Sequence, residues 1–166
     1  MKITETKVYQ FDELTESAKE KAFEELYDIN VDFDWWDCTY EDAERIGLKL
    51  TGFDLGRSNF CKGDFTISAN EVAANIFRDH GTHCETYKTA EGFMTEWQPV
   101  FDKYMEMEGY DSEDNLMKLE SEFLKSLLED YRIILSKEYD YLTSREAIEE
   151  TIKANEYDFT IDGKLF

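Results

Sequence analysis

Residues 47–67 read GLKLTGFDLGRSNFCKGDFTI, a stretch with the pattern of two β-strands. Apolar and polar residues alternate over 47–55 and again over 59–67, on either side of the short connection Gly56–Ser58. Two alternating runs joined by a short, glycine-containing connection are typical of a β-hairpin. The chain is therefore expected to contain an antiparallel β-sheet.

Helical patterns lie on both sides of this hairpin. Apolar residues recur at core-facing helical spacing, which predicts helices over residues 16–29, 34–46, 69–80, 86–107, 112–135 and 144–154. A break near Pro99, a Thr143/Glu146 capping box, a first strand at 7–11 and a terminal hairpin around Asp162-Gly163 complete the prediction. The expected fold is α+β: a single acidic domain, 1–166, with five or six helices around a small antiparallel sheet built from hairpins.

The composition indicates a cytoplasmic protein with a real core. Of the 166 residues, 42% are apolar and 15% aromatic, which is enough to bury a hydrophobic interior. The sequence has no run of 18 apolar residues and no signal-peptide core at its start, so we expect no membrane association. An odd number of cysteines, three, fits a reducing compartment better than a disulfide framework.

The net charge is the unusual feature. Thirty-nine acidic residues against eighteen basic ones give −21. Such a protein repels nucleic acids and acidic membranes and is attracted to basic surfaces. We therefore expect no direct nucleic-acid binding, and a partner that carries a basic groove.

Residues 28–44, DINVDFDWWDCTYEDAE, contain seven carboxylates, four aromatic rings and no lysine or arginine. In a helix over 34–46, two stripes would form. The acidic stripe would contain Asp34, Asp37, Glu41 and Glu44, and the inward stripe Trp36, Tyr40 and Ala43. The acidic stripe is either an ordinary solvated helix face or a surface that binds a partner.

The second interpretation defines a candidate partner-binding set. Its members are acidic residues of this helix, of its approach and of the loop before the long helix, together with one tyrosine. They are Asp32, Asp34, Asp37, Tyr40, Glu41, Glu44, Glu106, Glu108 and Asp111. Tyr40 or Phe33 would supply the apolar anchor at the centre of the contact.

One other cluster has metal-ligand chemistry. The segment DHGTHCETY contains both histidines of the chain, and with the hairpin cysteine it supplies four zinc-type ligands. They are Cys61, His80, His83 and Cys84. The alternative is surface histidines and a small buried thiol, and we expect no cofactor. Since the sequence contains no Walker loop, GxSxG or HExxH motif, we expect no enzyme, although Cys84 with a neighbouring histidine is formally a nucleophile pair.

Three stretches carry a family resemblance: residues 28–57, the CETYKTA segment at 84–90, and YDYLTSREAIEETIKANEYDF at 139–159. They resemble a family of small acidic proteins of phages and mobile elements, some of which are labelled antitoxins. The resemblance implies a mobile-element context, in which small acidic proteins block host defence nucleases. In size and charge alone the chain is similar to anti-CRISPR and anti-restriction proteins, and the resemblance implies no catalytic residue.

Together these observations predict a phage-encoded, non-enzymatic inhibitor that mimics DNA or RNA with an acidic surface. Its partner would be a nuclease such as Cas9 or a restriction enzyme. One alternative is an antitoxin or regulatory protein in a stable complex with a basic toxin. Another is a small zinc-binding protein.

Overall fold

Six α-helices and four β-strands form within residues 7–107 and 110–166, which the computed structural model describes. The strands are β1 (Tyr9–Gln10), β2 (Leu48–Asp54), β3 (Phe60–Phe65) and β4 (Asp158–Phe159). The helices are α1 (Glu16–Glu25), α2 (Asp37–Ile46), α3 (Ala69–Asp79), α4 (Glu85–Met107), α5 (Tyr110–Leu142) and α6 (Arg145–Ala154). The α+β class predicted from the sequence is confirmed.

The predicted hairpin is formed by β2 and β3. The strands pair antiparallel, with Leu48 opposite Phe65 and Asp54 opposite Phe60. The register shifts once, between Leu50 and Gly52, as in a β-bulge. Leu48 and Leu50 are buried while Lys49 is exposed, so the alternation in the sequence corresponds to an inner and an outer face.

The other strands form a second, separate sheet rather than a hairpin. β1 pairs antiparallel with β4, so that Tyr9 lies opposite Phe159. The predicted Asp162-Gly163 turn forms, but the pairing beyond it is limited to one bridge between Phe159 and Leu165. The single sheet built from hairpins is therefore replaced by two two-stranded sheets within the described residues.

The chain is grouped into two compact units. The first unit comprises the described part of Met1–Trp35 together with Lys137–Phe166, and the second unit is Trp36–Ser136. The single-domain organisation over residues 1–166 stays a prediction.

The first unit has its own apolar core. Phe11, Ala22, Ile148, Ile152 and Phe159 are almost fully buried and pack in one cluster. These residues come from both ends of the chain, so the core depends on contacts between segments far apart in sequence.

The second unit is built around the hairpin and α2–α5. Its core includes Ile46, Leu48, Ile76 and Leu127, all fully buried. Gly47 ends α2 with a positive φ of 93°, and a Cβ there would lie 2.5 Å from the side chain of Ile67. Glycine is therefore needed where the chain turns from α2 into β2.

Three local predictions are corrected. The predicted helix 34–46 begins at Asp37. α4 continues through Pro99 without a break. The cap of α6 is Ser144, whose hydroxyl accepts from the Ala147 N–H, because the hydroxyl of Thr143 instead donates to the Tyr139 carbonyl oxygen.

No helix in the described part of the chain combines the length and apolar character needed to cross a membrane.

Candidate protein-binding surface on helix α2

Helix α2 has one acidic face. Asp37, Glu41 and Glu44 are exposed and recur at intervals of four and three residues, so they lie along one side of the helix. Asp34 lies before the helix, in the first unit, which reduces the predicted four-residue stripe to three.

Apolar and aromatic side chains pack α2 against the rest of the second unit, as the sequence predicts. Ala43 is fully buried. Trp36 and Tyr40 are half-buried, and their rings pack against the Phe53 ring with centroids 5.4 and 6.3 Å apart. Partial burial raises the pKa of Tyr40 above its ordinary value, and the neighbouring Cys61 raises this pKa as well. Packing against β2 therefore holds the acidic face outward.

The acidic face borders a shallow surface depression. Its volume is about 370 Å³, and it brings four predicted partner-binding residues together with one cation and one leucine. The six residues are Asp37, Tyr40, Glu41, Glu44, Lys49 and Leu50.

The three exposed carboxylates of the α2 face differ from two carboxylates of α1, Glu16 and Glu20, in their pairing. None of Asp37, Glu41 and Glu44 forms an ion pair or a side-chain hydrogen bond with any residue in the described ranges. In α1, by contrast, Glu16 pairs with Lys19 at 3.3 Å and Glu20 pairs with Arg145. The negative charge of the α2 face is therefore not neutralised by contacts within the folded chain.

The excess charge is shared by both units. Residues 36–136 contain 21 acidic and 10 basic side chains, and the rest of the chain contains 18 and 8. The three unpaired carboxylates of the α2 face thus belong to a unit that is already negatively charged. This net charge strengthens the attraction to a cationic surface.

A buried polar network lies on the other side of α2. The hydroxyl of Tyr131, a fully buried residue, donates a hydrogen bond to Oδ2 of Asp42 at 2.8 Å. His80, whose side chain is only 9% exposed, places Nε2 3.5 Å from the same oxygen. Its Nδ1 lies 2.7 Å from Oγ1 of Thr86. The network joins α2 to α5 and to the segment between α3 and α4.

The contact between Nε2 of His80 and Oδ2 of Asp42 is at the long limit for a hydrogen bond. At 3.5 Å the contact is long, and Nε2 has no hydrogen-bond partner of good geometry among the described residues. The pKa of Asp42 is nevertheless held below its ordinary value, first by His80; burial opposes this, and the Tyr131 hydroxyl reinforces it. Asp42 is thus the structural carboxylate of α2, in contrast to the exposed carboxylates on the other face.

Sequence reasoning did not identify this network. Asp42 and Tyr131 are 89 residues apart, and neither residue belongs to a motif. The only available signal was a tyrosine within the apolar stripe of α5, which often implies a buried partner for its hydroxyl.

The four zinc candidates do not converge. Among the described residues, no group of three or more His, Cys, Asp or Glu side chains could hold a metal ion. His83 and Cys84 are exposed, and His80 belongs to the network of Asp42. Burial raises the pKa of the Cys61 thiol to about 11. Zinc binding stays a prediction.

The remaining partner-binding candidates lie elsewhere. Asp32 is exposed and belongs to the first unit, like Asp34. Glu106 is exposed near the end of α4. Glu108 lies outside the described residues, as does the side chain of Asp111. Of the set's members in the described part of the second unit, the α2 depression is lined by those that belong to α2.

No family model, no curated protein and no solved structure matches this chain.

Proposed function

We propose that this protein is a phage-encoded, non-enzymatic inhibitor of a host nucleic-acid-handling defence complex, such as Cas9 or a restriction enzyme. Its acidic α2 face occupies a Lys/Arg-lined groove that otherwise holds DNA or guide RNA. The supporting observation is the set of three exposed α2 carboxylates, which have no partner among the described residues.

The spacing of these carboxylates suits a phosphate-binding groove. Asp37 and Glu41 are separated by about 6 Å along the helix axis, and Glu41 and Glu44 by about 4.5 Å. Phosphates follow one another every ~3.4 Å along a DNA strand. The face is sparser than a strand, yet lysine and arginine side chains are long enough to reach carboxylates at these intervals.

The surface also offers an anchor. Tyr40 lies in the same depression as the carboxylates and is held by Phe53. Charges at the edge of an interface mainly accelerate association, whereas aromatic residues at its centre slow dissociation. Inhibition should therefore weaken as salt increases, through slower association.

The test is charge reversal on α2. We expect Asp37→Lys/Glu41→Lys to weaken inhibition of DNA cleavage by a Cas9–guide RNA complex or a restriction enzyme. Capture of that nuclease should also be competed by DNA or guide RNA. The matched control is Glu91→Lys/Glu113→Lys, which changes net charge equally at two exposed residues of α4 and α5. Full inhibition by a folded α2 double variant would exclude this face.

An antitoxin-like protein in a stable complex is the second candidate. The first unit exposes several large apolar side chains, which a stable interface would cover. Phe33, Ile161 and Phe166 are 62%, 69% and 69% exposed. A toxin partner retained on the protein through about 1 M salt, where charge is screened within ~3 Å, would favour this function.

A further inference from the structure

The second unit carries an apolar groove between α3, α4 and α5 that α2 does not line. Its volume is about 650 Å³, within the range of clefts that bind ligands. The side chains lining it include Ala74, Met94, Trp97, Phe101, Leu116 and Glu120.

The floor of the groove is formed by buried, packed side chains, and a methionine lies in its wall. Trp97 and Leu116 are 6% and 8% exposed. Phe101 stacks on Trp97 with ring centroids 4.5 Å apart. Met94 is half-buried in the wall. Methionine side chains adjust to varied apolar partners, so this wall suits an inserted side chain.

The charge in the groove is of one sign, negative. Among its described lining residues there is one carboxylate, Glu120, and no lysine or arginine. The indole of Trp97 donates to Oε1 of Glu120 at 3.3 Å, which holds the carboxylate at the rim. An apolar floor with an acidic rim in a strongly negative unit is complementary to an apolar side chain flanked by cations.

We infer that this groove is a docking site for a cationic amphipathic segment of the protein partner. One or more large apolar side chains of that segment enter between Ala74 and Leu116, and a lysine or arginine pairs with Glu120. The inference rests on the proposed function for the basic character of the partner, but it uses a surface separate from the α2 carboxylates.

The probe is an amphipathic peptide of leucine and lysine with the leucines on one helical face. A Leu/Glu peptide of the same pattern tests charge, and a scrambled Leu/Lys peptide tests the apolar face. We expect only the patterned Leu/Lys peptide to bind saturably and to shift the Met94 methyl resonance. Equal binding of the Leu/Glu peptide, or no binding of the Leu/Lys peptide, would overturn the inference.

A groove-filling variant locates the site without a change of charge. Ala74→Trp should weaken peptide binding at least about tenfold, which corresponds to ~1.4 kcal/mol. Ala154→Trp, at an exposed alanine of α6, is the matched control and should leave binding unchanged. If Ala74→Trp is folded by thermal melting and binds normally, the peptide binds elsewhere and the proposal fails.

Two further measurements distinguish this proposal from the α2 proposal and a cationic segment from a second copy of the chain. The Asp37→Lys/Glu41→Lys variant should bind the peptide normally, so a failure of the α2 proposal is distinguishable from a failure here. A Met94 methyl shift that depends on protein concentration without peptide would identify a second copy of the chain as the occupant, and would refute a cationic segment.

Discussion

The hydroxyl of Tyr131 donates a 2.8 Å hydrogen bond to Oδ2 of Asp42 across 89 residues of sequence. Tyr131 is fully buried on α5, while Asp42 belongs to the helix that carries the acidic face. The bond therefore connects the core of the second unit to the candidate binding surface, and it positions α2 rather than contacting a partner.

Removing Asp42 should destabilise the protein. Asp42→Ala leaves the buried Tyr131 hydroxyl without its acceptor, which costs about 1–3 kcal/mol. Tyr131→Phe should cost less, about 0.5–1.5 kcal/mol, because the half-buried Asp42 carboxylate can be hydrated. Urea denaturation of both variants and the double variant measures the coupling. Strictly additive losses would show that the two residues do not interact.

Asp42 should also give stability a defined pH dependence. Its pKa is lowered in the folded state, so its contribution is complete above the ordinary carboxyl range, near about 4. It is lost as the pH falls through the lowered folded pKa. The stability difference between the natural chain and Asp42→Asn should therefore shrink in acid.

Comparison with a variant is essential for this measurement. Burial raises the pKa of Asp130, whose protonation in acid favours the folded state and so has the opposite sign. When Tyr131 is replaced by Phe, the part of the unfolding free energy that Asp42 contributes and that is lost in acid should be smaller. A stability difference constant between pH 3 and 7, about the window in which carboxylates titrate, would contradict the assignment.

Gly163 should not tolerate a side chain. Its φ is +87°, and an added Cβ would clash with the carbonyl oxygen of Ala18. Gly163→Ala therefore combines backbone strain with a backbone clash, and we expect a loss of about 1–3 kcal/mol or more in denaturant unfolding.

Gly92 provides the opposite case. It lies within α4, and a Cβ there would have no heavy atom within 4 Å among those that the structure describes. Gly92→Ala should raise the stability by about 0.5–1 kcal/mol, because alanine is the better helix former. Similar effects at both glycines would mean that local geometry does not govern either position.

Features that depend on residues close together in the sequence could be predicted, whereas features that depend on distant residues could not. The β2–β3 hairpin and the two faces of α2 could be predicted because alternation and helical spacing express them within a few residues. The β1–β4 sheet joins Gln10 to Asp158, and no local pattern selects that partner.

The candidate site follows the same division. Its exposed carboxylates were identifiable from spacing, whereas the Asp42–Tyr131 bond and the groove over Trp97 arise from contacts between elements. The sequence predicted that α2 begins at residue 34, which is wrong. The helical spacing of acidic residues continues before Asp37, but the helix itself begins at Asp37.

The exposed carboxylates of the acidic α2 face should reduce stability while they support binding. Glu41 has like charges four residues before and three residues after it, at Asp37 and Glu44, and each such pair costs about 0.2–0.5 kcal/mol. Glu41→Gln should therefore stabilise the fold slightly at low salt, and the gain should disappear as salt screens the repulsion. Glu16→Gln is the matched control in α1, where the carboxylate pairs with Lys19, and it should have the opposite sign. Thermal unfolding at low and high salt measures the stability of both variants, and a nuclease assay measures their inhibition.

A Glu41→Gln variant that is more stable yet inhibits less would indicate that this charge serves binding rather than folding. Unchanged inhibition would favour an ordinary solvated helix face.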